Sequence, residues 1–412
     1  MNASPAARVL DITRLVSRTG LGPLTGVDRV EMAYLTALAK APEPLFLLCR
    51  TSYGFLLLPG TAGAALRQGL VAPDTLPAPS WPDRLRRRDA PRLRMAAALR
   101  PLALARAPHA RLARLIGRHL PQGSTYINVG QTTAQPKTLA RLRTVRGLRI
   151  AVMIHDTIPL DYPQFSRATE PARFAARLEA ALSHADLLIC NSQATADDVV
   201  RHAGTRPLPQ YVVAHLGADT PPPDRAALPP GLDLSLPYFV TLGTIEPRKN
   251  HALLLDVWEQ ILRQMPETKA PRLFILGRRG WNNAATFQRL DSAPYMGRVV
   301  HELPGLSDGA VAALLAGAQA LLMPSFAEGF GLPLIEAAAL GTPIITAPLP
   351  VAHELLGEHA RYAAPSSRAA WTAEIMEALA QNRHSDATFS PYRAAITIPT
   401  WTEHFRRILN KT

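Results

Sequence analysis

Residues 320–346 read ALLMPSFAEGFGLPLIEAAALGTPIIT, which contains two short apolar runs separated by a glycine-rich loop and a helical pattern. The runs at residues 320–323 and 343–346 have the length of buried strands, and residues 334–340 have the composition of a helix. A strand, a helix and a second strand in this order are typical of an α/β fold with a parallel sheet. The loop after the first strand carries Glu328, and the helix carries Glu336.

The same alternation of short apolar runs and helical patterns extends along nearly the whole chain. Toward the N-terminus it predicts strands at residues 9–12, 45–49, 55–58, 126–129, 150–155, 187–190 and 211–214. Toward the C-terminus it predicts further strands at residues 238–242, 273–276 and 298–301. Ser192, Asn250 and Ser307 stand where they can cap the helices that follow them.

A proline-rich segment separates the two runs of strand–helix units. Residues 217–237 hold six prolines and few large apolar residues, a composition typical of a stiff linker. We therefore expect an α/β protein with two Rossmann-like, doubly wound parallel-sheet domains that face a central cleft. The expected boundaries are residues 1–218 for the first domain, 219–236 for the linker and 237–389 for the second domain.

Length and composition exclude several other classes of protein. The chain has 412 residues, 47% of them apolar and 19% charged, so it is neither disordered nor fibrous. No apolar run reaches the roughly 18 residues of a membrane-spanning helix. The two cysteines, Cys49 and Cys190, are too few for a disulfide framework or a cysteine-based zinc site. Arg8, Asp11 and Arg14 interrupt the stretch where a signal peptide is apolar, so we expect no export signal and a cytoplasmic setting.

The positive charge is concentrated in one segment, from Arg84 to Arg118. This segment holds eleven arginines and one acidic residue, Asp89, and so accounts for most of the net charge of +13. Leucines are interleaved with the arginines, and Pro101 and Pro108 predict short helices. The segment is either a solvated basic face or a surface for anionic lipid headgroups or a phosphorylated acceptor. Nucleic acid is disfavoured as a partner because no aromatic residue is interleaved for base stacking.

The loop after the predicted strand at residues 238–242 combines flexibility with positive charge. It reads GTIEPRKN from Gly243 to Asn250, so Arg248 and Lys249 lie just before the next helix. A helix N-terminus binds anions, a glycine lets the backbone approach a ligand, and an arginine beside a lysine suits a diphosphate. The fragment by itself is also compatible with an ordinary charged surface loop.

Glu328 and Glu336 predict a second polar cluster, at the carboxyl end of the strand at residues 320–323. Gly329 and Gly331 expose amides at the start of the helix that carries Glu336. A carboxylate accepts hydrogen bonds from two adjacent sugar hydroxyls. Apolar neighbours surround Glu336, and an unpaired buried carboxylate is costly, which argues for a ligand or a fixed partner. The alternative is a glutamate that only complements the helix dipole.

These motifs, taken together, resemble those of the retaining GT-B glycosyltransferases of family 4. The stretch from Glu328 to Glu336 is similar to the family's E-x7-E signature, and Gly243–Asn250 is similar to its phosphate-binding arginine–lysine loop. The first half resembles the family more weakly, through the loop at Gly26 and the pair His155-Asp156.

The resemblance implies a role for each position. Catalytic roles fall to Arg248, Lys249, Glu328 and His155: the two cations neutralise the departing diphosphate, and Glu328 and His155 hold the transferred sugar. The residues expected to bind the donor are Gly26, Gly243, Thr244, His301, Leu303, Gly329, Phe330, Gly331, Leu332 and Glu336. Within that set Glu336 holds the ribose, and residues 301–303 line the base pocket through their backbone.

The resemblance also implies the reaction. We expect a hexose, mannose or a similar sugar, to be transferred with retention from a nucleotide-diphosphate sugar to a saccharide or lipid-linked saccharide, in cell-surface polysaccharide synthesis. No Asp-x-Asp pair occurs, so we expect no metal ion and no cofactor, with cations and helix N-termini stabilising the leaving group. A non-catalytic nucleotide- or polyanion-binding protein of this fold, and a phosphorylase or epimerase, are the alternatives. Residues 390–412 are expected to pack back on the first domain.

Overall fold

The computed structural model describes residues 4–79, 90–381 and 396–412, and within them the strands form two sheets. The first sheet has eight strands in the order β4-β3-β2-β1-β5-β6-β7-β8. Its strands are β1 Arg8–Asp11, β2 Leu45–Thr51, β3 Gly54–Pro59, β4 Ala105–Ala107, β5 Thr125–Asn128, β6 Arg149–Ile154, β7 Leu187–Cys190 and β8 Gln210–Val213. The second sheet has six strands in the order β11-β10-β9-β12-β13-β14. Its strands are β9 Tyr238–Leu242, β10 Arg272–Leu276, β11 Val300–Glu302, β12 Leu321–Met323, β13 Ile344–Thr346 and β14 Arg361–Tyr362.

Helices connect the strands and cover the faces of both sheets. In the first domain they are α1 Thr13–Arg18, α2 Gly26–Leu38, α3 Gly63–Val71, α4 Ala90–Leu99, α5 Leu112–His119, α6 Pro136–Arg143, α7 Ile158–Asp161, α8 Glu170–His184 and α9 Gln193–Ala203. In the second half of the chain they are α10 His251–Gln264, α11 Ala284–Ser292, α12 Asp308–Gly317, α13 Leu332–Ala339, α14 Pro350–Leu356, α15 Arg368–Ala380 and α16 Trp401–Leu409. Helices α10 and α15 bury the two largest core side chains, Trp258 and Trp371. The expected α/β fold with two doubly wound domains is therefore confirmed.

One edge of the first sheet departs from the expected parallel arrangement. Strand β3 pairs antiparallel with β2, and β4 pairs antiparallel with β3. Only Ser52 and Tyr53 separate β2 from β3, and a connection this short can join only antiparallel neighbours. Strand β4 lies in the arginine-rich segment, between short helices of the kind that the prolines predict; residues 84–89 of that segment lie outside the described residues.

The second sheet brings two distant loops together. All of its pairings are parallel, and Leu321 of β12 lies opposite Val240 of β9. Because β9 and β12 are neighbours although they are far apart along the chain, the strand order reverses between them. The loops that follow these two strands therefore meet at the switch point of the sheet, where α/β proteins bind ligands.

The helix caps follow the sequence prediction at two of three positions. The hydroxyls of Ser192 and Ser307 each accept a hydrogen bond from a backbone amide in the first turn of α9 and α12. Asn250 precedes α10 but does not cap it. Its backbone is left-handed (φ 57°), and its side chain donates to the carbonyls of Pro324 (3.2 Å) and Pro365 (2.8 Å). Asn250 thus ties the loop after β9 to the end of β12.

The terminal helix α16 crosses to the first domain. The imidazole of His404 lies 3.0 Å from the hydroxyl of Tyr34 in α2, and the amide of Ala218 donates to Pro399 (3.2 Å). A side chain on Gly217 would collide with Trp401, at 2.3 Å from its backbone nitrogen. The close approach of the two segments therefore depends on a glycine at that position.

The two domains also contact each other around the rim of the cleft. The carboxylate of Glu354, in α14, accepts hydrogen bonds from the amides of Gln193 (2.7 Å) and Ala194 (3.0 Å) at the start of α9. The rings of Phe165 and Phe326 stack at 5.3 Å across the other side. These contacts hold the carboxyl ends of the two sheets face to face.

Candidate active site

A cavity of about 550 Å³ lies between the carboxyl ends of the two sheets. Both domains contribute to its walls. It is lined by thirteen of the fourteen residues that the sequence predicts for the site: Gly26, His155, Gly243, Thr244, Arg248, Lys249, Leu303, Glu328, Gly329, Phe330, Gly331, Leu332 and Glu336. The structure thus brings together residues separated by as many as 310 positions along the chain.

The remaining predicted residue, His301, is not among those that line the cavity. It lies in β11, and its ring packs against Phe274 at 5.4 Å. Leu303, directly after the strand, does line the cavity, and the expectation that residues 301–303 line the base pocket through their backbone stays a prediction. The backbone of Leu303 donates to Ile275 (2.9 Å) of the neighbouring strand.

The two cations of the second domain share one carboxylate. Arg248 Nη1 lies 3.0 Å from Glu328 Oε2, and Lys249 Nζ lies 2.6 Å from Glu328 Oε1. Burial works to raise the pKa of Glu328, but Lys249 and Arg248 outweigh it and hold the pKa at about 2. Glu328 is therefore ionised throughout the physiological range, and it fixes both cations on one side of the cavity.

Glu336 is buried on α13 and pairs with the first domain. Helix α13 begins after Gly331, whose backbone is left-handed (φ 82°), so the turn favours glycine. The partner of Glu336 is Arg29 of α2, which also donates to the carbonyl of Asp219 (3.1 Å). Burial raises the pKa of Glu336 and Arg29 opposes that rise. Arg29 was not predicted, since no local pattern relates two residues 307 positions apart.

His155 is buried in the first-domain wall and is neutral. Its Nε2 lies 2.7 Å from the carbonyl of Val129, and burial lowers its pKa to about 4. Nε2 therefore carries the proton, which leaves Nδ1 as a hydrogen-bond acceptor. The loop of the second domain packs directly on this residue, because a side chain on Gly329 would lie 2.6 Å from the carbonyl of His155. Gly329 thus permits close approach of the two domains.

Asp156, next to His155, also lines the cavity. Its Oδ1 accepts a hydrogen bond from the amide of Ile158 (3.1 Å), at the start of α7. Burial raises its pKa, and Arg248 opposes that rise. The sequence pairs Asp156 with His155 but assigns it no role, whereas the structure places its carboxylate in the charged part of the cavity.

The loop that leads into α2 at Gly26 is held by a buried carboxylate, because Thr25 donates to Asp28 through its amide and its hydroxyl (both 3.1 Å). Asp28 of α2 is fully buried and pairs with Arg14 (2.6 Å) and Arg18 (2.9 Å), both of which line the cavity. Gly26 has a left-handed backbone (φ 38°), and apart from its chain neighbours and the backbone of its own helix no described atom lies within 4 Å of the position that a side chain would take. This wall therefore offers a bare backbone next to two arginines. The arginines were not predicted as site residues.

The part of the chain that the structure describes contains no candidate metal site, disulfide bond or membrane-spanning helix. Those residues contain no group of histidine, cysteine and carboxylate side chains that could hold a metal ion. Both cysteines are buried and free. No described helix is long and apolar enough to cross a membrane.

Two family models match the chain. The model described as glycosyl transferases group 1 matches residues 229–393, and the model described as Glycosyltransferase Family 4 matches residues 64–220. The chain is similar to the serotype-specific mannosyltransferase WbdA of Escherichia coli, with 36% identity over 269 residues, which are 60% of this chain and 32% of WbdA. It is also 34% identical over 200 residues to a D-inositol 3-phosphate glycosyltransferase of Streptomyces bingchenggensis, covering 44% of this chain and 43% of that protein. The chain thus spans less than half the length of these relatives.

Solved structures resemble the chain over almost its full length. A sucrose-phosphate synthase from Thermosynechococcus elongatus has a TM-score of 0.59 at 15% identity, over 98% of this chain and 92% of that one. Anabaena Alr3699/HepE, solved in complex with UDP-glucose, has a TM-score of 0.59 at 14% identity, over 98% of this chain and 97% of that one. At such identities the likeness concerns the fold.

Proposed function

The chain belongs to the GT-B glycosyltransferases of family 4, and on this premise we propose that it transfers a hexose from a nucleotide-diphosphate sugar to a saccharide or lipid-linked saccharide. The observation that carries the proposal is the convergence of Arg248, Lys249, Glu328 and Glu336 on one cavity between two domains. A nucleotide sugar combines a diphosphate, which needs cations, with two rings whose adjacent hydroxyls suit carboxylates.

The proposed mechanism uses the cation pair to stabilise the leaving group. Breaking the bond between the sugar and the diphosphate releases negative charge on a phosphate oxygen, and donors already in place lower the barrier. Lys249 gives one hydrogen bond to Glu328, so two of its three N–H groups are not used in the contacts between described residues. We expect retention of configuration, with the acceptor attacking from the side that the diphosphate leaves, and no metal ion.

Glu336 and His155 bind the rings of the donor in this proposal. The ribose hydroxyls replace Arg29 on the carboxylate of Glu336, or share that carboxylate with it. His155 faces the transferred sugar with Nδ1, which accepts a hydrogen bond from a hydroxyl. A mannose-like sugar is favoured because the WbdA relatives are mannosyltransferases, and the serotype specificity in their name favours a cell-surface polysaccharide as product.

A panel of nucleotide sugars tests the proposal. GDP-mannose, UDP-glucose and UDP-N-acetylglucosamine are each incubated with the protein and with mannose-containing oligosaccharide acceptors, with and without EDTA. We expect transfer from one of them that EDTA leaves unchanged, and loss of transfer in Glu328→Gln. Glu259→Gln is the matched control. Glu259 lies on α10, away from the cavity, and pairs with Arg289 of α11 (2.9 Å). Nucleotide binding without transfer or donor hydrolysis would favour the non-catalytic alternative, and loss of transfer with EDTA would refute the metal-free mechanism.

We also propose that the arginine-rich segment contacts an anionic membrane from the cytoplasmic side. Residues 90–118 hold seven arginines and no acidic residue. Most of the interleaved leucines belong to the domain core, but Leu102 and Leu104 are 42% and 53% exposed, beside Arg100 and Arg106. Exposed leucines between arginines suit the boundary between headgroups and acyl chains.

Flotation with liposomes tests this contact. We expect binding to vesicles with phosphatidylglycerol at low salt, and loss of binding in the variant that combines Arg100→Glu with Arg106→Glu. Vesicles of phosphatidylcholine alone are the control, since they carry no net charge. Equal recovery of wild type and variant with anionic vesicles would remove the proposal.

A further inference from the structure

Glu246 lies at the start of the cation loop, and the structure gives its side chain one ionic partner. The residue is 3% exposed, in extended backbone just before Pro247. Its Oε1 lies 3.0 Å from Arg248 Nε and 2.7 Å from Arg248 Nη2. One carboxylate oxygen therefore accepts from two neighbouring nitrogens of the same guanidinium group.

The opposite end of the guanidinium group is held by the loop after β12. Arg248 Nη1 donates to the carbonyl of Ala327 (2.5 Å) and to Glu328 (3.0 Å). Arginine has five N–H donors in one plane, and these contacts with Glu246, Ala327 and Glu328 take up four of them. One N–H of Nη2 is left for a ligand of the cavity that Arg248 lines. The direction of that single donor is set by the acceptors at the two ends of the plane.

The burial of Glu246 is not explained by the structure of its own loop. Its second oxygen, Oε2, is buried and has no hydrogen-bond partner among the described residues. The turn itself is closed by the backbone, through the amide of Lys249 and the carbonyl of Glu246 (3.0 Å). A buried carboxylate with one unused oxygen is costly, and the contact that offsets the cost is the one to Arg248.

We propose that Glu246 is a positioning residue for the transfer reaction. It acts through Arg248, by fixing the plane of the guanidinium group so that the remaining Nη2 donor reaches the diphosphate, and it does not touch the donor sugar. This inference rests on the proposed function. It adds a member to the site that is neither a ligand of the substrate nor part of the E-x7-E pattern.

A double-mutant cycle tests the proposal by kinetics. Glu246→Gln keeps the size of the side chain and removes the charge, so we expect kcat to fall by up to about 100-fold with little change in the KM for the donor. Because Glu246 acts through Arg248, the variant that combines Glu246→Gln with Arg248→Ala should be no slower than Arg248→Ala alone. Glu259→Gln is the matched control. Losses in kcat that multiply in the double variant would overturn the proposal.

A second measurement does not depend on turnover. In protein labelled with ¹⁵N-arginine, the Nε–Hε resonance of Arg248 is assigned by its disappearance in Arg248→Lys. We expect this resonance to shift and to exchange faster with water in Glu246→Gln, and to be unchanged in Glu259→Gln. If Glu246→Gln does not fold, Glu246→Asp takes its place, because it retracts the charge from Arg248 and should shift the same resonance away from its wild-type position. An unchanged resonance would overturn the proposal, whereas absence of transfer by the wild-type protein would count against the proposed function alone.

Discussion

The two walls of the cleft are built in different ways. The second-domain wall takes Arg248, Lys249 and Glu328 from two loops that meet at one switch point, and these residues bind each other. The first-domain wall takes Arg29 and His155 from separate elements, and each is held by a different partner. The second wall therefore works as one charged unit, whereas Arg29 and His155 of the first wall act independently of each other.

The largest effect is expected in the second wall. Arg248→Ala removes a cation that two carboxylates hold in place, and it leaves Glu246 and Glu328 partly uncompensated. We expect kcat to fall by about 10²–10³-fold, as for the loss of one donor aimed at a developing oxyanion. The measurement is turnover of the active nucleotide sugar, with a thermal melt to show that the variant is folded. A loss below about tenfold would contradict the view of this wall as one unit.

A smaller effect is expected from His155 in the first wall. His155→Ala removes one neutral hydrogen bond to the sugar, which is worth about 1 kcal/mol, so kcat/KM should fall about fivefold. Because its pKa of about 4 keeps His155 neutral, the wild-type rate should show no step near pH 6.5 from this residue. Initial rates between pH 5.5 and 8 check both points. A rate step near pH 6.5 that is lost in His155→Ala would contradict the neutral assignment.

Arg29 of the first wall pairs with Glu336 of the second wall, so the loss of Arg29 should change how nucleotide binding depends on pH. Removal of Arg29 raises the pKa of the buried Glu336 further, so the carboxylate is protonated at a higher pH than in the wild type. We therefore expect Arg29→Gln to lose more of its affinity for UDP or GDP between pH 8 and pH 6 than the wild type loses. Calorimetric titration at the two pH values measures the ratio. Equal ratios in variant and wild type would show that Arg29 does not control the charge of Glu336.

The last expectation concerns stability instead of activity, and both domains contribute a buried imidazole to it. Burial lowers the pKa of His155 to about 4 and that of His251, in α10, to about 3, whereas an unfolded histidine has a pKa near 6.5. Below pH 6.5 the unfolded chain therefore binds more protons than the folded chain. Each residue then lowers the free energy of unfolding by about 1.4 kcal/mol per pH unit until its folded pKa is reached.

Thermal melts at pH 7.5 and pH 5 check this expectation. The melting temperature of the wild type should fall on acidification, and His251→Leu should reduce the fall because it removes a buried imidazole whose nitrogens have no partner among the described residues. His359→Gln is the control, because His359 is exposed. An equal fall in His251→Leu and wild type would show that His251 is not the source of the acid sensitivity.

The parts that were predictable from sequence are those encoded in contiguous residues. The cation loop and the E-x7-E stretch each follow a buried strand, and both line the cavity as expected. Asn250 shows the limit of the same reasoning, because its position before α10 predicts a cap, whereas its side chain binds Pro324 and Pro365 across the sheet. Glu246 lies within the quoted loop, yet its contact with Arg248 depends on a turn that composition does not reveal.

Local sequence determined the alternation of strands and helices, the two-domain division and the residues at the carboxyl ends of the strands, because periodicity and turn chemistry act over a few residues. Tertiary structure alone decided that Arg29 meets Glu336, that Glu354 binds the start of α9 and that Phe165 stacks on Phe326. These contacts depend on how two sheets are ordered and packed against each other, and no local pattern encodes a pairing between side chains hundreds of residues apart.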